Sequence, residues 1–216
     1  MINLFALDND LFNDVGLFEK TMSRVSESRR KRVESLIPQD KKNSCLAAGV
    51  ILPLALLKMG IDGGICLSEG EYGKPYITSP QGIFFNISHS GKWTVIALSD
   101  GEVGCDIQKV DPVDVGRLAR IFSDGEREFL SAAGNSADCF YRLWTAKESY
   151  LKAIGVGLNR PMNGFTVKLG GGGGRVICGG DTGWLVSEID FREGYRLAVC
   201  AREFAPLSAV CELTLN

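Results

Sequence analysis

Cys139-Phe140-Tyr141-Arg142-Leu143-Trp144-Thr145-Ala146-Lys147-Glu148-Ser149-Tyr150-Leu151-Lys152 is the stretch around which the rest of the chain is organised. At about 100° per residue, Phe140, Leu143, Trp144, Leu151 and Ile154 fall on one face of a helix and form an apolar stripe for a core. Ser136 stands where a cap would start this helix and Gly155 where it would stop. Lys147 interrupts the stripe, and an ammonium at such a position must find a partner or lose its charge. Glu148 and Lys152 stack one turn apart on the neighbouring flank. In isolation that pair reads as a surface ion pair of little energetic worth. It acquires a chemical meaning only if other segments bring matching groups.

The bulk composition narrows the classes. With 216 residues the chain can bury a sizeable core, as one large domain or as two halves of about 100 residues each. A hydrophobic content of 45% with 23% charged residues is ordinary for a globular protein and excludes a fibrous or disordered class. The formal net charge of −2 gives no global attraction to nucleic acid or to an anionic membrane, so an anionic ligand would have to be held locally. Seven cysteines without a CxxC pair, and a single histidine, support neither a disulfide framework nor a zinc site, and fit a reducing, cytoplasmic setting. No basic leader opens the chain, and the apolar run from Leu46 to Leu57 is too short to span a bilayer and holds Pro53.

Ile2, Leu4 and Ala6 alternate as in a short strand that ends at Asp8-Asn9-Asp10. Arg29-Arg30-Lys31-Arg32 lies in a polar helical segment ending near Pro38; such a run is a solvated face or, less often, an anion-binding edge. Asp40 is positioned to cap a helix running to about Met59, which Pro53 should bend or interrupt. Gly73-Lys74-Pro75 reads as a turn that directs Lys74. From Ile83 to Leu98 the pattern is strand, polar turn, strand, and the turn Asn86-Ile87-Ser88-His89-Ser90-Gly91-Lys92 concentrates the donors that a phosphate or carboxylate needs. In the strand Val103-Gly104-Cys105-Asp106-Ile107-Gln108, Asp106 and Gln108 share one face, so a carboxylate and an amide converge on one point. Few hard oxygens with room for water and substrate phosphates is what Mg²⁺ requires.

Val113–Phe122 is a helix candidate. A second starts at Ser123, with Glu126 at the capping-box position. The tail reads as strands at Phe165–Leu169, Arg175–Cys178, Trp184–Ile189 and Tyr195–Ala201, with the glycines from Gly170 to Gly174 as a floppy hairpin connection and not a dinucleotide fingerprint, because no helix follows them. The order predicts two α+β halves of similar build, residues 1–103 and 104–216, with a cleft between them for a small ligand.

Taken in order and spacing, Gly73-Lys74-Pro75 with Phe85-Asn86-Ile87-Ser88-His89-Ser90, then Gly104-Cys105-Asp106-Ile107-Gln108, then Trp144-Thr145-Ala146-Lys147-Glu148-Ser149-Tyr150-Leu151-Lys152 with Gly155-Val156-Gly157-Leu158, resemble the 4'-phosphopantetheinyl transferase superfamily, in particular its longer Sfp-type members. The resemblance implies an α+β pseudo-dimer in one chain, acting as a monomer. It implies transfer of the phosphopantetheine arm of coenzyme A to a serine of an apo acyl, peptidyl or aryl carrier protein, as in fatty acid, polyketide or nonribosomal peptide synthesis. It further implies Mg²⁺, with Mn²⁺ as a substitute, held by Asp106 and Glu148, with Gln108 as the third ligand or water in its place. Glu148 and Lys152 would be catalytic, and Lys74, Pro75, Ser88, His89 and Lys152 would hold coenzyme A, His89 at the 3'-phosphate. The alternative is a non-catalytic homologue that binds coenzyme A or the carrier. Two departures stand out: Gln108 replaces a glutamate common in the family, and Asn43-Ser44 stand where the family offers an arginine to the 3'-phosphate, leaving Arg29–Arg32, Lys41 or Lys42 as substitutes.

Overall fold

The computed structural model describes residues 1–171, 173–177, 180–202 and 206–215. The chain is α+β, as expected. Strand β1 (Asn3–Asp8) is followed by helices α1 (Val15–Met22), α2 (Glu27–Glu34) and α3 (Gln39–Lys58), then by the short hairpin β2 (Cys66–Glu69) and β3 (Pro75–Ser79). Strands β4 (Phe84–Ser90), β5 (Trp93–Ser99) and β6 (Val103–Lys109) lead to helices α4 (Val115–Leu118), α5 (Asp124–Ala132) and α6 (Ala137–Ile154). Strands β7 (Thr166–Gly170), β8 (Gly173–Ile177), β9 (Asp181–Ile189), β10 (Tyr195–Ala201) and β11 (Cys211–Glu212) complete the fold.

The strands form one sheet in the order β11-β1-β5-β4, a second in the order β6-β10-β9-β8-β7, and the separate β2-β3 pair. The layering follows from which residues alternate. Phe5 and Leu7 of β1 pack toward α3, whereas Leu4 and Ala6 pack with Trp93, Val95 and Ala97 against Cys105, Ile107, Leu197 and Val199 of the second sheet. On the far side of that sheet, Ala198 and Cys200 join Phe140, Leu143 and Leu151 of α6. The order of layers is therefore α3, sheet, sheet, α6. Strands β1 and β5 are apolar on both faces because both faces are covered.

Several expectations are corrected here. The last strand does not stay with the second half: β11 runs parallel to β1, with Phe5 opposite Cys211, and Leu213 enters the first core. Val103 already belongs to β6 in the second sheet. Helix α3 is capped by Pro38 rather than by Asp40, which lies in its first turn. It continues through Pro53, which is exposed on its outer surface. The helix expected at Val113–Phe122 is confined to α4 and a single 3-10 turn, Ala119–Ile121. The glycine run does join two strands of a hairpin, as expected, but Gly170, Gly173 and Gly174 belong to the ladder itself. Gly172, and Cys178 of the strand read at Arg175–Cys178, lie outside the described residues.

The polar stretch from Asn86 to Ser90 is strand, not turn. Ser90 pairs with Trp93, so only Gly91 and Lys92 turn the chain, with Gly91 at φ 54°. Its polarity has a structural cause. Strand β6 is an edge of its sheet and presents a row of main-chain N–H groups. Asn86 Oδ1 accepts from Cys105 N at 2.9 Å, Ser88 Oγ from Ile107 N at 3.2 Å and Ser90 Oγ from Lys109 N at 3.0 Å. Alternate side chains of β4 thus satisfy alternate donors of β6 and stitch the two sheets together.

Candidate active site

Helix α6 carries most of the candidate chemistry, and its placement is over-determined. Ser136 Oγ accepts from Cys139 N at 3.2 Å at its start, and Gly155 ends it in the left-handed region at φ 72°. Asp138 pairs with Arg196, and Arg142 grips both oxygens of Glu188 at 2.7 and 2.8 Å. The helix touches β6 at Gly104, where a β-carbon would overlap the carbonyl of Ser149 and the main chain of Ala153. That contact without a side chain between them brings Asp106, two residues on, beneath the last turns of α6.

Asp106 is the focus. Its side chain is buried, Oδ1 accepts from Ser88 Oγ at 2.8 Å and Lys152 Nζ at 2.5 Å, and Oδ2 accepts from Gln108 Nε2 at 3.1 Å. Lys152 Nζ also donates to Ser88 Oγ at 2.8 Å. Burial by itself would depress the Lys152 pKa, but Asp106 together with Cys105 and Glu148 outweighs it and the ammonium is held above its ordinary range. Asp106 and Gln108 do share one face of β6, and the amide directs its nitrogen to Asp106 while Oε1 faces Ser90 Oγ at 3.5 Å.

Glu148 stands apart from these pairings. It is half-buried, and among the described residues it forms no hydrogen bond or ion pair. Burial first, and then the negative charge of Asp106, raise its pKa, while Lys152 opposes them. An unpaired carboxylate held beside a second carboxylate is a group waiting for a cation or a proton. Among the described residues no set of three His, Cys, Asp or Glu side chains gathers around a common centre. Asp106 and Glu148 could offer two carboxylates, and Gln108 an amide if it turned, to an ion that keeps water and substrate oxygens in its shell.

The remaining expected residues separate. His89 is on the opposite face of β4 from Ser88, with Phe85 and Ile87, which pack into the α3 core. Its ring is exposed, and its pKa is lowered by partial desolvation and by Lys152, Lys41 and Arg32, against the pull of Asp106. Arg29 and Arg32 border a cleft of about 490 Å³ with Ser26, Ser28, Leu67, Ser68, Glu69, Gly73 and Pro75, so the arginine run and the Gly-Lys-Pro turn, read separately in the sequence, meet. Lys74 points elsewhere: its ammonium donates to Ala153 O at 2.7 Å and Val103 O at 3.2 Å, and its stem lies against Gly155. It ties the end of α6 to the start of β6. Asn43 and Ser44 are buried, Asn43 bonded to Gln39 and Asn13 and Ser44 to the carbonyls of Asp40 and Lys41.

Lys147 faces away from this site. It is fully buried and donates to Glu126 Oε1 and Oε2 at 2.7 and 2.8 Å and to Phe165 O at 2.6 Å, three acceptors for the three N–H bonds of an ammonium. Glu126 also accepts from Ser123 N at 2.9 Å and Val167 N at 2.7 Å. Sequence reasoning saw Glu126 only as a helix cap. Its partner is a full helix away along the chain, and no local pattern announces it.

Comparison with known proteins fits this arrangement. Residues 102–200, which span β6 to β10 and include Asp106, Glu148 and Lys152, match the family model described as the 4'-phosphopantetheinyl transferase superfamily. Over 189 residues the chain is 35% identical to a Bacillus subtilis protein named 4'-phosphopantetheinyl transferase, covering 85% of this chain and 84% of the relative. The chain belongs to the 4'-phosphopantetheinyl transferase superfamily. It is also 32% identical to the 4'-phosphopantetheinyl transferase Sfp of Bacillus subtilis strain 168, over 85% of this chain and 84% of that protein. With the 4'-phosphopantetheinyl transferase AcpT of Salmonella typhimurium it shares 38% identity over 64% of this chain and 75% of AcpT. In this member of the superfamily no helix among the described residues is long and apolar enough to cross a membrane.

Proposed function

We propose that this chain transfers the 4'-phosphopantetheine group of coenzyme A to a serine hydroxyl of an apo carrier protein and releases adenosine 3',5'-bisphosphate. The observation that carries the reading is the free Glu148 carboxylate set beside Asp106 and Lys152 on α6 and β6, within the segment that matches the superfamily. Asp106 and Glu148 are the residues to hold Mg²⁺, or Mn²⁺ in its place. Gln108 steadies Asp106 through its nitrogen and reaches the same ion only by turning its amide. When bound, the ion supplies charge stabilisation to the pyrophosphate oxygens.

The rest of the chemistry belongs to side chains. The serine oxygen attacks the β-phosphorus, the bond from that phosphorus to the bridging oxygen breaks, and the α-phosphate departs with the electron pair. Glu148, made more basic by burial and by Asp106, accepts the serine proton directly or through a water. Lys152 meets the negative charge that grows on the α-phosphate. The cleft bordered by Arg29, Arg32, Gly73 and Pro75 receives the nucleotide end of coenzyme A, and His89, with Lys41 and Arg32 near it, meets the 3'-phosphate. Ser88 and Lys74 act here through the framework and not as coenzyme A contacts, Ser88 by holding Asp106 and Lys74 by holding the end of α6. Both halves of the site come from one chain, which supports action as a monomer. The reading as a non-catalytic binding homologue has no observation in its favour.

Incubation with apo carrier protein, coenzyme A and Mg²⁺ is expected to raise the carrier's mass by one phosphopantetheine group; no gain with any of several acyl and peptidyl carriers would sink the proposal. A further result is expected from His89. Its lowered pKa leaves it neutral at pH 7, and a phosphate beside it favours the charged form, so binding takes up a proton. Coenzyme A affinity should therefore strengthen as pH falls through the imidazole range. Calorimetric titration of His89→Ala, or of the wild type with 3'-dephospho-coenzyme A, should lose that dependence; an unchanged slope in both would remove His89 from the 3'-phosphate.

A further inference from the structure

Asp106 is crowded for a metal ligand. A carboxylate offers about four lone-pair sites, and in Asp106 they meet Ser88 and Lys152 at Oδ1 and Gln108 at Oδ2. The ammonium and a divalent ion both draw on the same negative charge, and two cations on one carboxylate repel each other. The two attachments differ in how easily they yield. Ser88 is pinned to β6 by Ile107 N at 3.2 Å and is buried. Lys152 is held at its tip only by Asp106 and Ser88, its side chain is 25% exposed, and it has a flexible four-carbon stem.

We infer that Lys152 and the divalent ion hold Asp106 by exchange: the ammonium neutralises Asp106 until a divalent ion is bound, and then swings out toward the substrate phosphates. This rests on the metal reading given above and adds to it an order of events. Ser88 stays in place as a positioning residue that keeps Oδ1 aimed at the exchange point. A released Lys152 needs a new anion, and a pyrophosphate supplies one, so the two ligands strengthen each other's binding reciprocally.

The test uses the full chain, with Mn²⁺ as probe and no coenzyme A, followed by calorimetry. Lys152→Met is expected to bind Mn²⁺ at least about tenfold more tightly than the wild type, the lower end of what an adjacent opposite charge is worth. Lys152→Arg, which keeps the cation, should bind no more tightly. Should Lys152→Met fail to fold, acylation of wild-type amines read by mass spectrometry decides: the reactivity of Lys152 should rise on adding Mn²⁺ alone. Equal or weaker Mn²⁺ binding by folded Lys152→Met, or unchanged reactivity of Lys152, overturns the exchange. Asp106→Asn separates the two levels. If it abolishes Mn²⁺ binding while Lys152→Met has no effect, only the exchange falls; if it leaves Mn²⁺ binding intact, the metal site itself is misassigned and the exchange falls with it.

Discussion

Glu148→Gln is expected to lose carrier modification by about 10³-fold while the protein becomes no less stable, and slightly more stable above the carboxylate range. The loss follows from removing both a hard oxygen ligand and a general base, effects that are each worth roughly 10²–10⁴-fold. The stability result follows from the other half of the same observation. Glu148 has no hydrogen-bond or ion-pair partner among the described residues, and its pKa is raised in the fold by burial and by Asp106. A group whose folded pKa exceeds its unfolded one contributes stability that is fully present below the unfolded value and is lost as pH rises through the folded value. At neutral pH the ionised carboxylate is thus a cost, and a neutral amide of the same shape removes it. Urea unfolding at pH 7 and at pH 4, alongside the carrier mass assay, checks both arms. A variant that is clearly destabilised, or that turns over at a near-normal rate, would show that Glu148 serves the fold and not the reaction. Sites that trade stability for chemistry have this signature.

Lys147→Met is expected to behave in the opposite way: a large loss of stability, about 3–5 kcal/mol, caused by stranding Glu126 as a buried charge. The ammonium is in contact with both oxygens of Glu126, with a carbonyl of residue 165 and with the Phe165 ring at 3.9 Å, so one side chain joins α6, the cap of α5 and the start of β7. Glu126→Gln should cost less than Glu126→Ala, because the amide oxygen can still accept from Ser123 N or Val167 N. Chemical denaturation of the variants measures this. The decisive comparison is the turnover per folded molecule. It should be close to wild type for any Lys147 variant that remains folded, and a specific collapse of turnover at unchanged stability would assign Lys147 to the active site instead.

These two neighbours on one helix show what could be read from the chain alone. The helix itself, its caps at Ser136 and Gly155, and the flank shared by Glu148 and Lys152 follow from helical periodicity and local end chemistry, which act over a few residues. The common face of Asp106 and Gln108 follows in the same way from the strand period. Together with the order of the motifs these readings were enough to reach the superfamily. The polar run Asn86–Ser90 reads as a turn for an equally local reason, although it is strand. Hydroxyls and amides favour turns on average, whereas here they answer the open N–H groups of another strand.

Which partner a buried polar group finds was decided only by the tertiary structure. Lys147 meets Glu126, Lys74 meets the carbonyls at the end of α6, Ser88 turns inward to Asp106 rather than outward, and Cys211 returns to pair beside Phe5. A sequence specifies the need of such a group, since an unpaired charge or donor in the interior is costly. It does not specify the supplier, because that depends on which distant segments the packing of two sheets and their covering helices brings into reach. The candidate site is legible locally along α6 and β6, and the division of the lysines between framework and candidate site is set by the fold.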